Sequence, residues 1–491
     1  MAQDYNPQCS DCLCCSHPTV LIRNSPTVPE ENNPNRYALN LTRFQTPSLS
    51  ASQQDCQTDS IYTSSSVSCV SEDLHDLKHT LLEIEKAMLG PDPDETTNYP
   101  LAADPGNKWM QMMEIVAGGL KQTLLACARA VADGDNDMTS LLMSELGQMV
   151  SVYGEPLQRL GAYMLEGLVA RHASSGSFIY NSLKCKEPPP GSDMLTYMRI
   201  IYELCPYIKF AYLSANGTIM EAMRGENQIH IIDFQIAQGT QWMGLIQSLG
   251  ALPGGPPHLK ITGIDDPANA YARGGDLSIV GRRLSQIAES CKVPFDFHPV
   301  EVPACEVQIE HLGVKQGEAV AVNFILQLHH IPDESVDVVN HRDRILRMVK
   351  SLSPKVVTIL EQESNTNTAP FFQRFAETLD YYNAMFESID VTLPRENKDR
   401  TRVEQHCLAK EIVNVIACEG AERVERHEPF GKWRSRLSMA GFSPVPLSPT
   451  IHTSVRSLLL KYHRNYRCEE RDGALFLGWK NRDLVVSCAW K

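Results

Sequence analysis

Apolar positions in the first hundred residues show almost no regular period. Up to about residue 70 the chain is rich in Ser, Thr, Asn, Pro and Gln, a composition that buries too little apolar surface to offset the entropy of ordering. Residues 71–89 differ, because apolar side chains recur there at every third or fourth position. We therefore predict a disordered N-terminal arm over residues 1–107 with one amphipathic helix at about 71–89. The apolar stripe of that helix needs a groove, either on the chain's own globular part or on a partner protein.

Helical periodicity becomes dense after the arm. Leucine-rich stripes with helical spacing cover residues 124–131, 141–150 and 157–168, and Gly, Asp and Asn separate them. We predict that residues 108–227 form a mainly helical cap subdomain within one domain over residues 108–491.

From residue 228 the periodicity changes to short apolar runs that alternate with polar or helical segments. Five runs are predicted strands: QIHIID, HLKITGID, PFDFHPV, EAVAVNFIL and KVVTILEQ. Such alternation predicts a parallel sheet with helices on both faces. Near the end of the chain, ALFLGW and LVVSCAW are separated only by KNRD, a link that permits only an antiparallel hairpin. Residues 228–491 are thus predicted to form an α/β core: a Rossmann-like sheet of the class I methyltransferase type with a C-terminal antiparallel hairpin.

The net charge of −14 over 491 residues lies mostly in the arm. Residues 1–100 contain 14 Asp and Glu against 5 Lys and Arg, whereas the remaining residues contain 45 against 40. Binding of nucleic acid through bulk electrostatics needs a basic excess, so a protein partner is the simpler expectation. The sequence contains no apolar run of about 18 residues and no signal-peptide pattern, so we expect a soluble intracellular protein.

Cysteine usage predicts neither a disulfide framework nor a metal site. The 15 cysteines are a small fraction of a long chain, and most lie in apolar surroundings typical of reduced thiols. The one cluster, CSDCLCC, has a single C-x-x-C without a second ligand pair at zinc-module spacing. A disordered surface cluster is the simpler interpretation.

The loop after the first predicted strand lacks the glycines of a nucleotide-type site. In such folds a ligand lies beyond the carboxyl ends of the strands, where glycines let the backbone approach it. Here Asp233 ends the strand, and Gln235, Ala237 and Gly239 occupy the alternate positions at which a methyltransferase usually has glycine. At two of these three positions a side chain takes the place of glycine, so the backbone can no longer approach a ligand closely there. The loop is therefore predicted to be the remnant of a ligand pocket.

Other candidate chemistry is sparse. Asp265 or Asp266 at the end of the second strand could accept a hydrogen bond from a ribose, and His329 and His330 follow the fourth strand. These residues are equally compatible with a turn-forming acidic pair and structural histidines. No nucleophile with an evident base is present. We therefore predict no catalytic residue, no bound cofactor and no metal ligand.

Two basic stretches are candidate DNA-binding surfaces. One is HRDRILRMVK (residues 341–350), and the other, GKWRSR, contains Lys432, Arg434 and Arg436. Solvated helix faces are the simpler interpretation of both. Whether DNA is bound directly or indirectly stays open.

Several motifs, in order along the chain, resemble those of the plant GRAS family of transcriptional regulators over roughly residues 110–491. IHIIDFQ resembles the family's V-H-I-I-D motif, and the region from VVTILEQ to AKEIVNV resembles the P-F-Y-R-E region, with Lys410 in place of the usual Arg. SCAWK resembles the closing S-A-W region, with Cys488 inserted. The matching positions are Ile229, His230, Ile231, Ile232, Asp233, Pro370, Tyr381, Tyr382, Lys410, Glu411, Ser487, Ala489 and Trp490.

The resemblance extends to the scarecrow-like branch that is implicated in phytochrome A light signalling. It implies a non-enzymatic transcriptional regulator or co-regulator with a methyltransferase-like core. It also implies partners, namely other transcription factors or GRAS proteins, bound through the cap and the leucine-rich regions, with homo- or hetero-dimers possible. The alternative is a small-molecule sensor or S-adenosylmethionine-binding protein. We expect a nuclear protein with a cytoplasmic pool, because no strong basic nuclear signal is visible.

The glutamine-rich loop has a simple explanation under this resemblance. Glutamine side chains can satisfy buried backbone groups that a glycine would leave to a ligand. We therefore expect Gln235, Gln238 and Gln241 to form hydrogen bonds inside the domain.

Overall fold

The computed structural model describes residues 105–173, 191–270 and 275–491. Nearly all of the predicted arm, including the helix predicted at 71–89, lies outside these residues. None of the described helices is long and apolar enough to cross a lipid bilayer.

Within the described residues, six helices precede the first strand. They are α1 (Pro105–Ala117), α2 (Leu120–Asp133), α3 (Asn136–Met149), α4 (Pro156–His172), α5 (Gly191–Leu204) and α6 (Tyr207–Ala222). Local sequence explains the boundary between α2 and α3. Gly134 has a φ of 73°, which glycine adopts most easily, and ends α2, while the Asp135 side chain accepts a hydrogen bond from the backbone N–H of Met138 and begins α3.

Nine strands form one mixed sheet, in the order β3-β2-β1-β4-β5-β9-β8-β7, and β6 pairs with β9. Their bounds are β1 (Gln228–Asp233), β2 (His258–Ile264), β3 (Phe295–Val300), β4 (Ala319–Ile325), β5 (Val356–Gln362), β6 (Pro444–Val445), β7 (Tyr466–Arg471), β8 (Ala474–Trp479) and β9 (Arg482–Trp490). Strands β1 to β5 are parallel neighbours, and β9 lies antiparallel between β5 and β8. The predicted fold class, with its parallel core and C-terminal antiparallel hairpin, is confirmed.

The remaining helices connect or follow the strands. They are α7 (Thr240–Gly250), α8 (Leu277–Ser290), α9 (His341–Ser351), α10 (Phe371–Asp390), α11 (Lys398–Val403), α12 (Ala409–Ala417), α13 (Phe430–Met439) and α14 (Pro449–Leu459). The sheet separates two hydrophobic cores, because alternate side chains of a strand face opposite sides. Ile231 joins the core beneath the cap helices, and its neighbour Ile232 joins the core beneath α9 and α13.

The edge strand β7 is missing from the sequence-based prediction. Its residues YRCEER are mostly polar and partly exposed, so they lack the apolar run that marks the other strands. The turn to β8 carries the missed signal. Asp472 and Gly473 both have positive φ, 52° and 78°, as expected for an Asp-Gly hairpin turn.

Helices from both ends of the domain pack together around buried charges. Helix α4 packs against α10 and α12, which follow β5. Within this contact the buried Arg159 donates to Glu404 at 3.0 Å and to Asp390 at 2.8 Å, and Arg400 pairs with Glu404 at 2.7 Å. Buried charges must be paired, so these ion pairs fix the packing of the cap against the later helices.

Deletion of residues 487–491 is expected to unfold the domain. The deletion removes four of the six β9 residues that pair with β5 and both of those that pair with β6, including the buried Trp490. We expect a loss of more than about 4 kcal/mol in the free energy of unfolding, measured by urea titration. The control Lys491→Ala keeps the backbone and changes an exposed side chain, so it should shift stability by less than about 0.5 kcal/mol. A truncated protein with an unchanged urea midpoint would contradict this role of β9.

Candidate functional site

The carboxylate of Asp233 lies at the carboxyl end of the central strand β1 and is held by the chain itself. The indole Nε1 of Trp242 donates to Oδ2 at 2.7 Å, and Asn323 Nδ2 donates to Oδ1 at 3.1 Å. The backbone N–H of Gln235 adds a third bond at 3.2 Å. Asp233 is only 1% exposed. Both carboxylate oxygens therefore accept hydrogen bonds from the protein itself. In ligand-binding proteins of this fold, by contrast, the ligand lies at this edge of the sheet.

A second layer of amides closes the space around this carboxylate. Gln241 donates to Asn216 Oδ1 at 3.1 Å and accepts from Asn323 at 3.2 Å, and Asn216 in turn donates to the Gln241 carbonyl at 2.9 Å. We call Asp233, Trp242, Gln241, Asn323 and Asn216 the Asp233 network. It joins α6, α7, β1 and β4 through side chains alone.

Burial sets the electrostatics of this network. Burial raises the pKa of Asp233 to about 6, although the hydrogen bonds from Asn323 and Trp242 lower it. The network therefore holds the ionised carboxylate without bringing in a cationic side chain.

The three loop glutamines differ in their contacts. The Gln241 side chain forms hydrogen bonds within the domain, as predicted. Gln235 donates its backbone N–H to Asp233, and the Gln238 carbonyl accepts from Arg283 at 3.1 Å. Gln241 thus forms hydrogen bonds through its side chain, whereas Gln235 and Gln238 form them through backbone groups.

The loop backbone keeps the conformation of a glycine loop. Ala237 has a φ of 45° and Gly239 a φ of 71°, both in the left-handed region. A Cβ at Gly239 would lie 2.8 Å from Val280 Cγ1 and 3.2 Å from Leu284 Cδ1, both in α8. The remaining glycine therefore provides clearance for a neighbouring helix of the same domain.

The acidic pair after β2 organises a turn. Asp265 accepts from Asn269 Nδ2 at 2.7 Å, and Asp266 caps the 3-10 turn Pro267–Asn269 by accepting from the Ala268 N–H at 2.8 Å. These contacts match the turn-forming interpretation of the pair.

A second cluster of ionisable groups lies beyond the carboxyl ends of β4 and β5. Glu361 in β5 accepts from the backbone N–H groups of Gln327 and Leu328 at 3.1 and 2.7 Å. Its other oxygen lies 2.6 Å from His329 Nδ1. Burial alone would lower the pKa of His329, but Glu361 and Glu425 raise it to about 10.

We call His329, His330, Glu425 and His427 the histidine cluster. The rings of His329 and His330 lie 4.0 Å apart between centroids, and those of His329 and His427 lie 4.5 Å apart. The sequence analysis found only the first two members. The other two lie about a hundred residues later in VERHE, and no local pattern links them to the first pair.

The candidate DNA-binding residues are not brought together as one exposed surface. Arg436 is buried, and its guanidinium lies between 2.6 and 3.1 Å from four carboxylates, those of Asp333, Glu334, Asp343 and Glu428. Lys432 is half-buried, and Arg434 pairs with Asp472 at 3.2 Å. In the other stretch, Arg342 is also buried. The expectation of basic helix faces is therefore wrong for Arg436 and Arg342.

Two of the acidic residues around Arg436, Asp333 and Glu428, have a pKa below the usual value. Burial alone would raise the pKa of Asp333, but hydrogen bonds from Ser335 and Asn367 and the charge of Arg342 lower it to about 2. This group of charges ties the chain after β4 to α13.

Family-motif positions in the first strand serve packing and pairing. Ile229, Ile231 and Ile232 are buried in the two cores. His230 is also buried, and its ring nitrogens lie 2.7 Å from Glu318 and 2.7 Å from Thr262. The motif therefore supplies both the core of β1 and the carboxylate at its end.

Motif positions in the later half connect separate elements. Tyr382 OH donates to Glu411 at 2.7 Å, and Tyr381 OH donates to the Leu484 carbonyl at 2.8 Å. Burial and the nearby charge of Glu425 raise the pKa of Glu411 to about 7. Lys410 lies beside it, half-buried in α12, and Pro370 is the exposed residue that precedes α10.

The closing motif connects β9 to helix α6. The hydroxyl of Ser487 lies 2.8 Å from that of Ser214 in α6. Ala489 and Trp490 are buried in the sheet, and the Trp490 indole Nε1 lies 3.2 Å from Cys488 Sγ.

The clearance at Gly239 leads to a matched pair of substitutions. Gly239→Ala meets both an unfavourable φ and a clash with Val280, whereas Gly225→Ala, at a φ of 83°, has no heavy atom within 4 Å of the new Cβ. Gly225→Ala should destabilise by about 1 kcal/mol. Gly239→Ala should destabilise by roughly 1–3 kcal/mol more, measured by urea unfolding. Equal losses in the two variants would mean that the loop does not pack against α8 as described.

Comparison with known proteins gives a consistent result. The chain matches the GRAS domain family model over residues 120–491. It is 56% identical to Chitin-inducible gibberellin-responsive protein 2 of Oryza sativa subsp. japonica, over 98% of this chain and 92% of that protein. It is 59% identical to Scarecrow-like transcription factor PAT1 of Arabidopsis thaliana, over 86% of this chain and 88% of that protein.

The fold also matches a solved structure. The crystal structure of SCL7 in Oryza sativa aligns with a TM-score of 0.67 and 35% sequence identity, over 76% of this chain and 99% of that chain. The family match covers well over half of the sequence, and it includes the strand, loop and helix that form the Asp233 network. This chain belongs to the GRAS domain family.

Proposed function

We propose that this protein is a transcriptional regulator or co-regulator in plant signalling that acts by binding other proteins and catalyses no reaction. The observation that carries the proposal is the Asp233 network. The acidic group at the end of β1 lies at the edge of the sheet where ligands bind in such folds, and here it is buried and bonded to Trp242 and Asn323. The alternative, a small-molecule sensor or an S-adenosylmethionine-binding protein, is not favoured.

Relatives support the regulatory part of the proposal. One is named a Scarecrow-like transcription factor, and another is named gibberellin-responsive and chitin-inducible. We extend this to a role in light signalling through phytochrome A and in development, on the resemblance of the N-terminal helix region. We further propose a nuclear location with a cytoplasmic pool, since the sequence has no strong basic nuclear signal.

The cap offers a surface for the proposed partners. On α1, Trp109, Met110 and Met113 are 50%, 68% and 49% exposed. Trp109 and Met113 are four residues apart and thus lie on one face of the helix. Trp and Met are enriched in protein interfaces, and their exposure together is typical of a binding surface. This supports partners, other transcription factors or GRAS proteins, bound through the cap.

A tethered reporter experiment tests both parts of the proposal. The full chain is fused to an unrelated DNA-binding domain and expressed in plant cells with a reporter that carries the matching DNA site. We expect the fusion to change reporter output, and Trp109→Glu with Met113→Glu to remove most of that change, because two charges would be buried against the partner.

The matched control is Leu460→Glu, which changes a residue that is 87% exposed after α14. It should retain the full effect on the reporter, and immunoblots should show equal amounts of all fusions. No change of output by the unaltered fusion would contradict a regulatory role. Equal loss in the control would contradict a partner surface on α1.

A further inference from the structure

The histidine cluster brings four potential metal ligands to one point. Glu425 Oε2 lies 3.4 Å from His329 Nε2, 3.3 Å from His330 Nε2 and 3.6 Å from His427 Nε2. The ligand atoms of His329, His330 and Glu425 all lie within 4.8 Å of one another. One carboxylate oxygen thus faces three imidazole nitrogens that arrive from two separate segments of the chain.

Two of these ligand atoms lack hydrogen bonds although they are buried. Neither Glu425 Oε2 nor His427 Nε2 forms a hydrogen bond, although Glu425 Oε2 lies at ion-pair distance from the imidazoles, and His427 is 1% exposed. Buried polar atoms in folded proteins are nearly always satisfied, so an exception needs an explanation. A bound cation would satisfy both atoms at once.

The other nitrogen of two imidazoles is held as it is in metal sites. His329 Nδ1 lies 2.6 Å from Glu361, and His427 Nδ1 lies 2.9 Å from Thr366 Oγ1. In protein metal centres, a carboxylate or another oxygen bonded to the remote nitrogen fixes the tautomer and turns the near nitrogen to the metal. Glu361 is itself fixed by two backbone N–H groups, so this outer layer is rigid.

The separations suit a tetrahedral ion. With metal–ligand distances of about 2.0–2.1 Å, tetrahedral ligand atoms are roughly 3.3 Å apart, close to the distances from Glu425 to His329 and His330. The His330 side chain is 38% exposed, which gives an ion a route from solvent. Three imidazoles and one carboxylate are ligands that zinc accepts, and four protein ligands make a closed, structural site.

We propose that His329, His330 and Glu425 bind one zinc ion, with the His427 side chain turning to it as the fourth ligand. The ion would hold the segment after β4 against the segment before α13. Its role would be structural and not catalytic. The sequence predicts no metal site, because its two pairs of ligands are far apart in the chain and the first pair resembles structural histidines.

Zinc binding by the purified full-length protein tests this proposal. The four clustered cysteines, Cys9, Cys12, Cys14 and Cys15, are first replaced by serine, since thiolates would also bind zinc. After removal of metal with a chelator, the protein is dialysed against buffered free zinc and its metal content is measured. We expect one zinc per chain, a higher thermal midpoint with zinc, and with Co²⁺ the visible absorption of a tetrahedral site.

Two ligand variants and a matched control make the result specific. His330→Ala, at a partly exposed position, and Glu425→Gln should each weaken zinc binding at least about 100-fold. His258→Ala, whose side chain is 43% exposed and lies at the start of β2, should bind zinc as before. If Glu425→Gln does not fold, the zinc affinity of His330→Ala alone tests the proposal. Less than one zinc per chain, or unchanged affinity in His330→Ala, would mean an adventitious ion only and would overturn the proposal.

Discussion

The need to pair a buried carboxylate governs the centre of this protein. Asp233 ends the central strand of the sheet, where an unpaired charge would cost several kcal/mol. Trp242 from α7 and Asn323 from β4 meet that need within the chain. Gln241 then accepts a hydrogen bond from the amide of Asn323, and Asn216, which bonds to Gln241, brings in α6. One carboxylate thus sets the relative positions of the sheet, the first crossover helix and the last cap helix.

The same constraint operates two strands further along the sheet, in β5. Glu361 at the end of β5 is satisfied by two backbone N–H groups and by His329, so its position fixes the segment that follows β4. Beyond it, Arg436 is surrounded by four carboxylates from the segments that precede and begin α9 and from the chain before α13. The edge of the sheet that binds ligands in related folds is here covered by internal ion pairs and hydrogen bonds. The sheet can thus persist as a rigid scaffold.

How much of this could be predicted depends on the sequence distance between interacting residues. Strands β1, β2, β4, β5 and the C-terminal hairpin are visible in the sequence, because a strand buried on both faces is a continuous apolar run. Strand β3 is partly exposed, and its aromatic residues make it visible. Strand β7 is missed because YRCEER is mostly polar. Asp233 and its loop are found from local order, yet Asn323 lies 90 residues away and leaves no local signal. Arg436 looks like an exposed cation in GKWRSR, since its acidic partner Asp333 is 103 residues distant.

Titration of the full-length protein with S-adenosylmethionine in a calorimeter tests most directly whether the Asp233 network has replaced a ligand. The network buries Asp233 and bonds both of its oxygens to the protein, so the expected result is no heat beyond dilution and no change in the thermal midpoint. An active methyltransferase of the same fold, titrated in the same buffer, shows that the assay can detect binding. Saturable micromolar binding, with a stabilisation of about 2.7 kcal/mol at 100 times the Kd, would contradict the replacement of the ligand by the chain's own side chains.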